Sequence, residues 1–150
     1  MAGDSGTGPV VVAGVDGSAE SVAALSWASR YAAATGGTVR AVLAWHYPAA
    51  AGLAPAGVAP DAVREETERQ MRGELAQAVA KVYPGESAAA AETRLTYGHP
   101  APVLIEESKN ADLLVVGSRG HGAFTGMLLG SVSMHCVTGA FCPVTVVRQT

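Results

Sequence analysis

The residues best suited to chemistry lie between Asp112 and Ser133. A short apolar run, Leu113 to Val116, is followed by Gly117, Gly120, Gly122 and Gly126, and Gly130-Ser131-Val132-Ser133 closes the stretch. Glycines let main-chain N–H groups approach an anion with no Cβ in between. The first N–H groups of a helix have no intrahelical acceptor and sit at the positive end of its dipole. Strand, glycine loop and helix start together therefore suit phosphate. Ser131 and Ser133 add hydroxyl donors, Arg119 adds positive charge within the loop, and Ser131 is a good N-cap for a helix through Val137. The chemistry indicated is the holding of a nucleotide through Gly117, Arg119, Gly120, Gly130, Ser131, Val132 and Ser133. Many glycine-rich loops after buried strands hold no phosphate, so the short pattern is weakly specific.

Asp16 is the second candidate. It follows the apolar run Val10 to Val15, at the C-terminal end of a first strand, where open α/β sheets place their ligands. A carboxylate there can accept hydrogen bonds from ribose hydroxyls or help hold magnesium through water. It can equally do no more than shape the turn Asp16-Gly17-Ser18.

Other sites find less support. There is no Gly-x4-Gly-Lys-Ser/Thr loop, no Gly-x-Gly-x-x-Gly after the first strand and no Gly-x-Ser-x-Gly elbow, which disfavours P-loop, dinucleotide-binding and α/β-hydrolase chemistry. His46, His99, His121 and His135 lack metal-like partners at helical spacing, against a zinc site. His121 sits beside Arg119, either exposed or touching phosphate; His135 is expected along the last helix, and His99 at a helix cap or in solvent. Cys136 and Cys142 are too few for a disulfide framework and are expected as reduced core thiols.

The elements that must position these residues follow from periodicity and punctuation. Val10 to Val15 reads as a buried strand, and Ser18 caps a helix from Ala19 to about Ala34, ended by Gly36-Gly37. Thr38 to Tyr47 is a second strand. Pro48 to Pro60 shows no periodicity and is expected to be a mobile loop or a lid. Asp61 caps a helix to about Val82. Ala89 to Tyr97 alternates as an edge strand, and Pro100 and Pro102 suit the first turn of a helix ending near Lys109. The cradle strand, a last helix to about Gly139 and a strand Val144 to Val147 complete the chain. Strands alternating with helices predict an α/β fold, a single-domain open parallel five-stranded sheet with helices on both faces.

With 150 residues, 49% of them hydrophobic and 15% charged, one well-buried domain is expected. Residues 1–8 are small and polar and read as a flexible tail before a domain at 9–150. A net charge of −3 provides no bulk attraction for nucleic acid. No apolar run is long enough for a membrane span, and Met1 to Gly8 lacks signal-peptide features, so a cytoplasmic protein is expected.

The spacing Gly117-x2-Gly120-x9-Gly130-Ser131 resembles the signature of ATP-binding universal stress proteins. Val11-Val-Ala-Gly-Val-Asp-Gly-Ser18 is similar to that family's opening strand, and Gly130-Ser-Val-Ser followed by Cys142-Pro143-Val-Thr-Val-Val-Arg148 to its closing helix and strand. The resemblance covers about residues 9–148. It implies a Rossmann-like fold of the adenine nucleotide α-hydrolase type and ATP, AMP or cyclic AMP as ligand. It also implies Gly14, Val15 and Asp16 at the nucleoside, and Ala44, Trp45 and Val116 by the base, the first two through backbone groups. The Trp45 side chain either stacks on a base, fills the pocket and blocks it, or is a core residue. A homodimer through Val144–Val147 is implied too, and an unpaired edge strand supplies its physical reason. Three roles remain open: nucleotide-dependent binding in a stress response, slow ATP hydrolysis at the same cradle, and nucleotide-free protein contacts. No convincing general base accompanies Arg119 and Asp16, and the kept glycine signature disfavours the third role.

Overall fold

The computed structural model describes residues 8–46, 60–85, 90–120 and 128–149. Strand β1 (Val10–Gly14) leads to helix α1 (Ala19–Thr35), β2 (Thr38–Trp45), α2 (Pro60–Val82), β3 (Ala91–Tyr97), α3 (Pro100–Ser108), β4 (Leu113–Gly117), α4 (Ser131–Gly139) and β5 (Val144–Val147). All five strands are parallel, in the order β3-β2-β1-β4-β5. The α/β fold, its single sheet and the helices on both faces are as the periodicity predicts. The expected tail except Gly8, most of the Pro48–Pro60 loop, and His121, Gly122 and Gly126 lie outside the described residues.

Burial on both faces explains the unbroken apolar runs of β1 and β4. Val11, Ala13 and Val115 pack with Leu25, Ala28, Leu75 and Val79 under α1 and α2. Val12, Leu114 and Val116 face the other way, toward Leu104 of α3 and Cys136 of α4. A fully buried Leu25 or Leu114 contributes roughly 1.5–3 kcal/mol.

The punctuation is local. The Ser18 hydroxyl accepts the Ser21 N–H at 3.2 Å to cap α1. Gly36, at φ 72°, ends that helix in the left-handed conformation and donates its N–H to Ala32 O. Arg40 of β2 bonds Glu92 of edge strand β3 at 3.0 Å and Glu107 of α3 at 3.4 Å, while Arg94 reaches Glu107 at 3.1 Å. This network ties the edge to the helix layer.

Several boundaries differ from expectation. Gly130, not Ser131, is the N-cap of α4, and it makes no side-chain cap bond; Ser131 is the first helical residue. Pro60 already begins α2, so Asp61 lies inside its first turn rather than capping it, because proline's preset φ suits a helix start. His99 occupies the cap position of α3 without a side-chain cap bond, and its ring packs on His46 with centroids 4.1 Å apart. His135 is exposed, its Nδ1 2.7 Å from Ser131 O. Both cysteines are free thiols; burial pushes the Cys136 thiol up to about 11.

Candidate functional site

The sheet is wound outward in two directions from the β1–β4 pair, β1 to β2 to β3 on one side and β4 to β5 on the other. Crossovers leaving β1 and β4 diverge there, and a crevice opens beyond the C-terminal ends of those strands. A cleft of about 460 Å³ occupies it. Gly14, Val15, Asp16, Ala44, Val116, Gly117, Arg119, Gly120, Gly130, Ser131, Val132 and Ser133 all line it, residues separated by more than a hundred positions in the chain.

One half of the cleft is apolar, built from Val42, Ala44, Pro100, Leu104 and Val116. Its floor is tight at Gly14: a Cβ there would lie 2.8 Å from Leu104 Cδ1, so the leucine side chain would have to shift. The other half is polar. There the loop leaving β4 meets the start of α4, whose first amides have no intrahelical acceptor. Helix dipole and orphan N–H groups make this the anion-favouring end.

Asp16 both shapes its turn and faces the cleft. Its Oδ1 accepts the Ser18 N–H at 2.9 Å and the Ser18 hydroxyl at 2.5 Å, and its own N–H donates to Ser21 Oγ at 3.2 Å. Oδ2 points at Gly120, where a Cβ would come within 2.4 Å of it. The carboxylate and the bare Gly120 backbone thus depend on each other.

Trp45 is the departure. Its side chain does not line the cleft but is buried, 5% exposed, in the core under α1 and α2, edge-on to Tyr97 with centroids 5.0 Å apart. It therefore neither stacks on a base in the cleft nor fills it. The cause is strand parity: Val42 and Ala44 point to the cleft face, so Leu43 and Trp45 point away. The Trp45 carbonyl accepts the Gly98 N–H at 2.7 Å.

Two residues outside the expected set organise the polar end. Ser118 donates its N–H to Val147 O at 2.9 Å, while its carbonyl accepts the Gly130 N–H at 2.6 Å and the Ser133 hydroxyl at 2.9 Å. Ser133 is buried, and its hydroxyl serves loop closure between Ser118 and Gly130. Glu20 of α1 accepts the Ser118 hydroxyl at 2.8 Å and the Arg119 N–H at 2.6 Å on Oε1, and Arg119 Nη2 reaches Oε2 at 3.1 Å. The Arg119 charge is thus shared with an internal carboxylate. Burial works to raise the Glu20 pKa, but the bonds from Ser118 and Arg119 and the guanidinium charge outweigh it and hold the carboxyl below its ordinary value. Ser118 lies inside the glycine signature and was legible as loop; nothing local to Glu20 marks it, since a first-turn glutamate ordinarily faces water.

No group of three or more His, Cys, Asp or Glu side chains suited to a metal occurs among the described residues. Nor is any described helix long and apolar enough to cross a membrane.

Comparison with known proteins agrees with the fold. The family model described as the universal stress protein family matches residues 9–148. A universal stress protein of Mycolicibacterium smegmatis is 38% identical over 138 residues, covering 92% of this chain and 45% of the relative. The chain spans about half the length of the curated relatives it matches, 45% to 48% of the first of them. Among solved structures, a universal stress protein in complex with cAMP is 28% identical with a TM-score of 0.60, over 95% of this chain and 98% of that one. UspA from Lactobacillus plantarum shares the fold at 22% identity and a TM-score of 0.69, over 93% of this chain and 97% of its own.

Proposed function

This chain belongs to the universal stress protein family, and from that premise we propose that it binds an adenine nucleotide, ATP or its relatives AMP and cyclic AMP, in the cleft between β1 and β4. The observation that carries the reading is the division of one crevice into an apolar half and an anion-favouring half. A purine suits Val42, Ala44, Leu104 and Val116, and the phosphates suit Gly117 to Gly120 and the first turn of α4. The volume, about 460 Å³, is that of a small-molecule site. A Cβ at Gly120 or Gly14 would intrude on it. Asp16 lines the cleft and would receive ribose hydroxyls, and magnesium, if carried by the nucleotide, would be held there through water. Support for a nucleotide also comes from the related protein solved with cAMP.

In this reading the protein is a nucleotide-dependent stress-response module of the cytoplasm rather than an efficient enzyme. Asp16, the carboxylate facing the cleft, is engaged by Ser18 and backs onto Gly120, a poor arrangement for activating water. Strand β5 is an edge of the sheet, and we assign it the homodimer contact, which sedimentation of the pure protein checks.

The deciding experiment is mass spectrometry of the protein as purified, with heat stability measured against added ATP, AMP and cyclic AMP. A co-purifying adenine nucleotide, or a melting temperature that rises with nucleotide concentration, is the expected result. No nucleotide and no shift with any of the three refutes the reading. Steady release of ADP that stops on Gly120→Ala would replace the binding module with a hydrolase.

A further inference from the structure

Resting on the reading of the cleft as a phosphate cradle, we infer that Glu20 is a positioning residue that straps the cradle to α1 and, by neutralising Arg119, limits how strongly the site prefers longer phosphate chains. Three donors converge on this one carboxylate, the Ser118 hydroxyl, the Arg119 amide and the Arg119 guanidinium, at 2.8, 2.6 and 3.1 Å. Glu20 is only 9% exposed. Its backbone abuts Gly117 so tightly that a Cβ there would sit 3.0 Å from it. It is thus packed into the loop and does not belong to the solvated face of α1.

The strap has two ends. On one side Glu20 stands in the first turn of α1, which Ser18 caps. On the other, Ser118 passes the constraint to Gly130 and Ser133 at the start of α4 through its carbonyl, and to the end of β5 through its N–H. Both phosphate-facing segments are therefore tied through Ser118 to one carboxylate on a third element. Charge-assisted bonds of this kind are the stronger class.

The electrostatic consequence follows from the same contacts. Glu20 uses the Arg119 amide, one of the loop donors an anion would seek, and offsets the Arg119 charge. At the polar end a ligand meets the dipoles of Gly120 and α4, the Asp16 carboxylate beside Gly120 and an Arg119 charge already offset by Glu20, a setting that rewards each added phosphate less than a free cation does. Glutamine in place of Glu20 keeps the shape and an acceptor for Ser118 and the Arg119 amide, but removes the negative charge that Glu20 sets against the guanidinium beside the cleft.

The test measures ATP and AMP affinity for the wild-type protein, Glu20→Gln and Glu20→Ala, with amide hydrogen exchange at Ser118, Arg119 and Gly120. Glu20→Gln should raise the ratio of ATP to AMP affinity roughly 3- to 10-fold at low salt, and the gain should fade at high ionic strength. Glu20→Ala should weaken both nucleotides and speed exchange of the three amides by about 10-fold or more. A ratio unchanged in Glu20→Gln overturns the charge role, and exchange unchanged in Glu20→Ala overturns the strap. A wild-type protein that binds neither nucleotide ends the cradle reading and the charge role together, while the exchange rates, measured without ligand, still decide the strap.

Discussion

Replacing Gly120 by alanine isolates the contact that joins the two ends of the cleft. The backbone at Gly120 does not adopt a positive φ, so an alanine there meets no torsional penalty. The obstacle is steric: its Cβ would lie 2.4 Å from Asp16 Oδ2, about 1 Å inside ordinary contact. Asp16 cannot swing away freely, because Ser18 holds Oδ1 through two bonds at 2.9 and 2.5 Å. Loss or lengthening of one hydrogen bond to a charged group costs about 1.5–3 kcal/mol, and the lower unfolded-state entropy of alanine returns about 0.4–1 kcal/mol. A net destabilisation of about 1–2 kcal/mol follows, a fall in melting temperature of roughly 2–8 °C for a domain of this size. With Asp16→Ala already in place the clash is gone, and Gly120→Ala should become neutral or slightly stabilising. A double-mutant cycle by urea denaturation therefore reads a coupling of about 2 kcal/mol between the two positions. Calorimetric titration of Gly120→Ala with ATP should show at least a roughly 10-fold loss of affinity, equivalent to about 1.4 kcal/mol. Additive effects in the cycle would refute the contact, and full ATP affinity in Gly120→Ala would refute the loop's role in binding.

Further perturbations test other parts of the site. Ser118→Ala removes one of the donors holding Glu20 and should cost about 1.5–3 kcal/mol. The Glu20 carboxyl is held below its unfolded value, so its contribution is present at neutral pH and is lost as pH falls through the folded value. The gap between wild type and Ser118→Ala in urea denaturation should therefore be full at pH 7 and shrink well below about pH 4; a constant gap counts against the ionised bond. Trp45→Phe should destabilise the core by about 1–3 kcal/mol yet leave nucleotide affinity within about 2-fold, and a large affinity loss would put the indole back in the cleft. Cys136, buried and shifted up to about 11, should resist alkylation in the folded protein at pH 7.5 and react once urea unfolds it.

Much of the molecule was legible in one dimension because its causes are local. The apolar runs of β1 and β4, the Ser18 cap, the Gly36 stop and the Pro100 start act within a few residues, and they place the elements nearly where the chain forms them. The differences at Ser131 and Asp61 are small slips: Gly130 caps α4 one residue before Ser131, and α2 begins at Pro60, two residues before the start that an Asp61 cap implies. The glycine spacing from Gly117 to Gly130 marked the polar end for the same reason: backbone access to an anion is a property of the loop's own residues.

What only the tertiary structure decided is who meets whom across the chain. Alternation along β2 says that Ala44 and Trp45 face opposite ways, but not which face carries the cleft. That depends on where α3 and α4 cross relative to the sheet, and it sends Val42 and Ala44 to the cleft and Trp45 to the core. Likewise β4 pairs with β1 rather than with β3, and only that choice sets Asp16 against Gly120 and Glu20 against Ser118 and Arg119. Strand order is a global minimum over packing of all the layers, so contacts spanning about a hundred residues leave no local trace at either end.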